Sequence, residues 1–268
     1  MITYPHAKIN IGLQVLNKRS DGFHDIETAL YPMALCDILE IKPSDQTRLF
    51  LYGLTIEGAL EDNLCMKAYS MLQADFDLPP VHLHLHKQIP VGAGLGGGSS
   101  NGAYTLRLLN EYFSLGIIDL KLEEYAARLG SDCPAMLYKH PSLATGRGEV
   151  LTPVELDLSG YYILICKPSI AVSTAQAYAK VHPQKPECPL REMLALPVKE
   201  WNGRIVNDFE AALFPDFPIL QECKETLYRT GALYASLSGS GSALYGIYES
   251  KELYEQAHAF FTEHLVLE

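Results

Sequence analysis

Pro90-Val91-Gly92-Ala93-Gly94-Leu95-Gly96-Gly97-Gly98-Ser99-Ser100-Asn101-Gly102-Ala103 is the stretch on which the reading of this chain turns. Glycine has no Cβ, so backbone here can take positive φ and approach a ligand closely. The preceding segment, Val81-His82-Leu83-His84-Leu85-His86-Lys87, alternates strictly and predicts a strand. The following segment carries Ala103, Leu106, Leu109, Tyr112 and Phe113 at helical spacing. A loop that joins a strand to a helix exposes the unpaired N–H groups of the first helical turn. Those donors, with the helix dipole behind them, favour an anion, and a phosphate chain is the expected ligand. The loop is not a P-loop, because Ser99-Ser100 rather than Lys-Ser/Thr follows Gly98. It is not a Rossmann fingerprint either: the acidic residue due about 20 residues on would be Asp119, which reads as a helix start. A flexible linker would lack the flanking strand and amphipathic helix.

Bulk properties narrow the function. A chain of 268 residues suffices for one large or two ordinary domains. The formal net charge of −11 makes it a poor partner for nucleic acid or an anionic membrane. Phosphates must therefore be attracted by local donors. No apolar run reaches the roughly 18 residues of a membrane span. Cys36, Cys65, Cys133, Cys166, Cys188 and Cys223 form no C-x-x-C pair, which predicts reduced thiols without a zinc or redox site. No targeting segment is read, so the expected location is cytoplasmic. The expected partner is a small molecule, with no nucleic acid and no membrane, and the chain is expected to be a monomer or weak homodimer.

Ala7, Ile9, Ile11, Leu13 and Val15 alternate with Lys8, Asn10, Gly12 and Gln14, which predicts a strand with one buried face. Asn17 to Gly22 is a turn, and Phe23 to Met33 and Ile38 to Lys42 predict further strands. Helices are expected over 61–76, and over 120–129 with Asp119 as N-cap and Gly130 as stop. The later chain predicts a strand at 161–166, a helix at 219–228, paired strands at 232–237 and 243–248, and a helix at 251–264. Pro153 to Gly160 is the expected domain boundary. His82, His84 and His86 share one strand face, and the alternating leucines make that face the polar side of a half-buried strand rather than a zinc site.

The glycine loop resembles the ATP loop of the GHMP kinases. Ala7-Lys8-Ile9-Asn10-Ile11-Gly12-Leu13 with Asp21-Gly22-Phe23-His24, Asn207-Asp208-Phe209-Glu210, and Ser238-Gly239-Ser240-Gly241-Ser242-Ala243 resemble other family segments, in the expected order. The resemblance implies an α+β, two-domain fold. A ribosomal-protein-S5-like ATP-binding domain is expected over 1–155 and a ferredoxin-like α/β-plait domain over 156–268, with the active site in the cleft between them. The triple glycine before Ser-Ser-Asn is most similar to the branch whose acceptor is a cytidine-diphosphate-linked methylerythritol.

The resemblance also implies roles. Asp132, in Gly130-Ser131-Asp132-Cys133-Pro134, matches the catalytic base, although Asp before Cys-Pro also suits a helix N-cap. Lys8 matches the lysine beside it; an ammonium there favours a charged carboxylate and stabilises a developing alkoxide. Asn10 shares its strand face. ATP is expected on Pro90, Gly92, Ala93, Gly94, Leu95, Gly96, Gly97, Gly98, Ser99 and Ser100, with Asn63 and Lys87 at its base. Mg²⁺ is expected on chemical grounds, with Ser99 or Ser100 a ligand candidate and the metal residues left open. Phe23 and His24 match the cytosine grip; the family more often has Tyr where Phe23 stands. Tyr178 matches the opposite aromatic wall and Thr174 a polar contact. Gly239 and Ser240 are placed near the substrate phosphates. Asn207 or Asp208 is expected to cap a helix. The rivals are a homoserine or mevalonate kinase of the same family, a non-catalytic nucleotide-binding regulator, and an RNA-binding module, the last opposed by the acidic balance.

Overall fold

The alternation that begins at Ala7 is realised as a long strand, and short apolar runs and amphipathic segments follow it. The computed structural model describes residues 1–264. In chain order the elements are β1 (Ile2–Thr3), β2 (His6–Lys18), β3 (His24–Cys36), β4 (Ile38–Pro43), β5 (Arg48–Gly53), α1 (Leu64–Phe76), β6 (Val81–Lys87), α2 (Gly97–Tyr112), α3 (Asp119–Leu129), α4 (Cys133–Met136), β7 (Ser142–Thr145), β8 (Val150–Pro153), β9 (Tyr162–Cys166), α5 (Thr174–Lys180), α6 (Leu190–Leu194), α7 (Asp208–Leu213), α8 (Pro218–Arg229), β10 (Tyr234–Leu237), β11 (Leu244–Tyr248) and α9 (Lys251–His264). The mixed helix and sheet content is the expected α+β class. Packing groups the chain differently from a single cut after residue 155. One compact unit takes Met1–Lys8, Pro32–Val91 and Gly96–His140, and the other takes Ile9–Tyr31, Gly92–Leu95 and Pro141–Glu268. The reason is strand pairing: β3 pairs with β7 through Thr28↔Ala144 and Leu30↔Ser142, which joins residues 9–31 to the chain beyond 141.

The first unit has a four-stranded sheet, order β1-β4-β6-β5. β4 and β6 are antiparallel, with Leu39 opposite Leu85 and Ile41 opposite Leu83; β5 runs parallel to β6. These four apolar residues are fully buried, as are Ala68 and Leu72 of α1 and Ala103, Leu106 and Leu109 of α2. The period of two thus selects the buried face. The other face carries the histidines: His82 hydrogen-bonds with Ser44 Oγ (2.7 Å) and His84 with Tyr52 OH (3.0 Å). Among the described residues no cluster of His, Cys, Asp and Glu is arranged to hold a metal. Asp119 is the first residue of α3 rather than its cap. Ile118 takes the extended cap geometry, and the Asp119 carboxylate lies 4.0 Å from Arg107. Gly130 ends the helix as expected.

The second unit holds two sheets, β2-β3-β7-β8 and the antiparallel β10-β11-β9. β10 and β11 pair across the Ser238–Ala243 segment, with Leu237 opposite Leu244. β9, α8, β10, β11 and α9 follow one another as the βαββα run of a plait, with α5, α6 and α7 inserted after β9. Its core is built from Leu13, Val15, Ile26, Leu164, Phe209, Leu220, Leu227, Leu237 and Phe261. β2 departs from the expectation of one buried face, since every residue from His6 to Val15 is buried. At Gly12 the cause is direct: a Cβ there would lie 2.9 Å from both Leu190 and Ile205 side chains, which cover the polar face. Among the described residues no helix is long and apolar enough to cross a membrane.

Candidate active site

Alternation of backbone sign shapes the glycine loop. Gly92, Gly94 and Gly96 take φ of +64°, +75° and +71°, while Ala93 and Leu95 stay out of the left-handed region and bury their side chains. Such alternation turns successive N–H groups to one side and makes an anion-binding concavity. Gly96 is the N-cap of the 16-residue α2 and makes no side-chain cap bond. The first intrahelical bond is Ser100 N to Gly96 O (2.8 Å), so the N–H groups of Gly97, Gly98 and Ser99 have no helical acceptor. Gly98 is exposed, and Pro90 stands half-buried at the head of the loop.

The foot of the loop is a buried ionic knot. Lys87 is 3% exposed, and its ammonium is paired with Asp37 and donates to Asn101 Oδ1 at 3.0 Å. Asp37 also accepts from Asn101 Nδ2 (2.7 Å), Gln88 N (2.7 Å) and Ile89 N (2.9 Å). Lys87 Nζ lies beneath Gly97, 3.1 Å from where a Cβ would be. Lys87 is therefore held at the foot of the loop by Asp37 and Asn101. Asn63 caps α1, its side-chain oxygen accepting from Cys65 N at 2.9 Å. Asp37 was not singled out in the sequence. Its signal is a lone carboxylate between Cys36 and Ile38 inside an apolar run.

Beside the start of α2 lies the expected couple. Lys8 Nζ is 3.8 Å from Asp132 Oδ2; the lysine side chain is 5% exposed and the aspartate side chain 47%. A Cβ on Gly96 would meet Lys8 Cγ at 3.0 Å and Cε at 3.1 Å, so the lysine stem runs directly under the helix N-cap. Asp132 precedes α4 but makes no capping bond, which leaves its carboxylate available and removes the cap reading. The Ser99 side chain is hydrogen-bonded with Cys133, tying the first turn of α2 to the Asp132 turn. Burial pushes the Lys8 ammonium below its ordinary range, and Asp132 opposes that shift. This buried charge costs stability wherever lysine is charged both folded and unfolded. The cost shrinks as pH rises through the folded value toward the ordinary 10.5, because the unfolded chain then holds the proton more tightly. Lys8→Met is expected to abolish turnover while raising stability in urea unfolding at pH 7, by on the order of 1 kcal/mol. The gap should narrow in the alkaline range.

In the second unit the Ser238–Ala243 segment braces the loop. Ser238 Oγ donates to Gly94 O (2.9 Å), and Ala243 N donates to Ala93 O (3.1 Å). Asn207 Nδ2 donates to Leu237 O and Gly239 O, while its Oδ1 caps α7 by accepting from Phe209 N. Asn10 donates from Nδ2 to Thr28 Oγ1 (3.0 Å), and its Oδ1 lies 3.2 Å from the Cβ position of Gly239. A Cβ on Gly94 would sit 2.0 Å from Ser238 O, at φ +75°. Gly94→Ala is expected to cost at least about 2 kcal/mol in thermal or urea unfolding and to weaken ATP binding.

His24, not Phe23, stacks on Tyr178, with ring centroids 5.0 Å apart at 22°, and Tyr178 packs edge-on against Phe209. Burial, aided by Lys18, lowers the His24 imidazole from its ordinary range. Phe23 is 52% exposed, which rules out a core role, and the guanidinium of Arg147 lies 4.9 Å over its ring. Arg147 was not read from the sequence; its flanking Gly146 and Gly148, at φ +70° and +112°, are the signal of a special turn. Thr174 Oγ1 and Ser240 Oγ are hydrogen-bonded at 2.9 Å. For a magnesium ion the loop's side chains offer hydroxyl oxygens: Ser100 Oγ is buried with no hydrogen-bond partner among the described residues, and Ser99 engages Cys133. A sparse oxygen set fits Mg²⁺, which keeps several waters and takes further ligands from phosphates.

Gly96, at positive φ, thus caps α2, and the Lys8–Asp132 pair lies beside that cap. The family model described as GHMP kinases N terminal domain matches residues 63–140, and that described as GHMP kinases C terminal matches 195–267. The chain belongs to the GHMP kinase family. More particularly, it is 50% identical over 253 residues to the 4-diphosphocytidyl-2-C-methyl-D-erythritol kinase of Bacteroides thetaiotaomicron, covering 93% of this chain and 92% of the relative. It is 51% identical over 261 residues to the kinase of the same name from Porphyromonas gingivalis, covering 96% and 95%. A crystal structure of 4-(cytidine 5'-diphospho)-2C-methyl-D-erythritol kinase matches with a TM-score of 0.83 at 30% identity, covering 99% of this chain and 96% of that one.

Proposed function

We infer that this chain transfers the γ-phosphoryl group of ATP to the 2-hydroxyl of 4-diphosphocytidyl-2-C-methyl-D-erythritol, a step in isoprenoid precursor synthesis. The observation that carries the chemistry is the Lys8 ammonium 3.8 Å from the Asp132 carboxylate, with its stem under Gly96. The substrate identity rests on the 50% and 51% identical kinases of that name.

In this reading the triphosphate lies on the N–H groups of Gly97, Gly98 and Ser99 and on the concavity of Gly92 to Gly96. The Asp132 carboxylate accepts the proton of the 2-hydroxyl. The freed oxygen forms its bond to the γ-phosphorus as the bond to the β–γ bridging oxygen breaks, and ADP leaves. Lys8 stabilises the negative charge that grows on the attacking oxygen. Positioning and electrostatics supply most of the acceleration in such transfers. Mg²⁺, held by Ser99 or Ser100 together with phosphate oxygens, would screen charge on the triphosphate. Asn10, Thr174, Gly239 and Ser240 position the acceptor, Asn63 lies toward the nucleotide, and Phe23, His24 and Tyr178 receive the cytosine. The six free thiols suit the reducing cytoplasm in which we place the reaction.

The test is a coupled ADP-release assay with the cytidylated erythritol, homoserine and mevalonate side by side. The cytidylated acceptor should be preferred in kcat/KM by at least about 10³-fold, since neither rival offers a ring to stack or a pyrimidine edge to hydrogen-bond. Comparable turnover of homoserine or mevalonate would overturn the assignment.

A further inference from the structure

The second unit carries a cleft of about 580 Å³ lined by none of the residues placed above at ATP or the acceptor. Its walls include Gln14, Glu187, Glu192, Arg204 and Asp208, over apolar surface from Met193 and Leu196. Gln14 lies on β2 two residues beyond Gly12. There Leu190 and Ile205 close on the strand, separating the Gln14 end from Asn10.

Two features of this cleft are unresolved by the chain itself. Gln14 is 5% exposed, and its Oε1 is buried with no hydrogen-bond partner among the described residues. A buried carbonyl oxygen left without a donor is destabilising. Asp208 accepts a single backbone bond at Oδ2, from Val15 N at 2.7 Å. Burial pushes its carboxyl above the ordinary range, and the Val15 bond opposes this only in part. Arg204 is the one guanidinium among the residues that line the cleft, and Glu187, Glu192 and Asp208 are its three carboxylates. Carboxylates thus outnumber cations in the walls, whose formal charge is negative.

We propose that this cleft binds an alkylammonium or alkylguanidinium ligand, its N–H groups donating to Gln14 Oε1 and Asp208 and its short aliphatic stem lying on Met193 and Leu196. A cation with N–H donors supplies what both groups lack, and the stem gains from apolar contact. The site is independent of the phosphoryl-transfer chemistry.

Agmatine is the probe, titrated calorimetrically into the full-length protein. Saturable binding with one site per chain is expected. Gln14→Leu and Asp208→Asn should each weaken it at least about five-fold, because each removes one charged or buried acceptor. Tetramethylammonium, which has the charge and no N–H, should not displace it. If either variant fails to fold, Glu192→Gln, on an exposed helix position, should still weaken agmatine about two-fold through lost attraction. Three results would each overturn the proposal: no saturation up to about 10 mM, equal affinity in wild type and variants, or equal competition by tetramethylammonium.

Discussion

Asp132→Asn is expected to lower kcat by about 10²–10⁴-fold, the range for loss of a positioned general base, while ATP affinity stays within a few-fold. The substitution keeps the side-chain volume and removes the basic oxygen. The carboxylate makes no capping bond to α4 and its side chain is 47% exposed, so its structural tie is the 3.8 Å pair with Lys8. The nucleotide loop is held by Asp37 and Ser238 instead, so binding and chemistry should separate cleanly. Steady-state kinetics with a direct ATP-binding titration read both quantities. Turnover within ten-fold of wild type would remove Asp132 as the base.

Asp37→Ala is the largest expected stability effect. The carboxylate is fully buried and accepts from Lys87, Asn101, Gln88 and Ile89. Removing it leaves the Lys87 ammonium buried without its counter-charge and two backbone N–H groups without acceptors. Breaking a buried pair from one side costs about 3–5 kcal/mol. Urea unfolding should show that loss, and ATP affinity should fall with it because Asn101 and Ile89 flank the loop. Lys87→Met in the Asp37→Ala background should recover part of the stability, since it removes the stranded charge. A loss below about 1 kcal/mol would mean that the knot does not hold the loop.

The legible parts of the sequence were those with a local physical signature. The glycines at 92, 94 and 96 predicted a loop that must take positive φ, and all three do. The alternation in 81–87 chose the buried leucine face correctly. Lys8 and Asp132 came from resemblance, and their pairing needed the fold, because 124 positions separate them. The burial of Lys87 is not legible in the sequence, because its partner Asp37 lies 50 positions away. The β4–β6 register sets Ile38 opposite His86, and one step further brings Asp37 opposite Lys87. Strand pairing, invisible in composition, thus supplies the counter-charge. β7 and β8, four residues each, are too short to show a period. Phe23 and His24 are adjacent, so their side chains take opposite directions along the strand entry. Which of the two meets Tyr178 is decided only by the register of β3.

The central claim is that an alcohol oxygen attacks ATP at the Lys8–Asp132 couple. ³¹P NMR of ATP incubated with the cytidylated erythritol and the enzyme tests it most directly. A phosphomonoester on the 2-oxygen should appear in step with ADP, and Asp132→Asn should suppress both. Release of inorganic phosphate in place of the ester, or phosphorylation at another hydroxyl, would contradict the account.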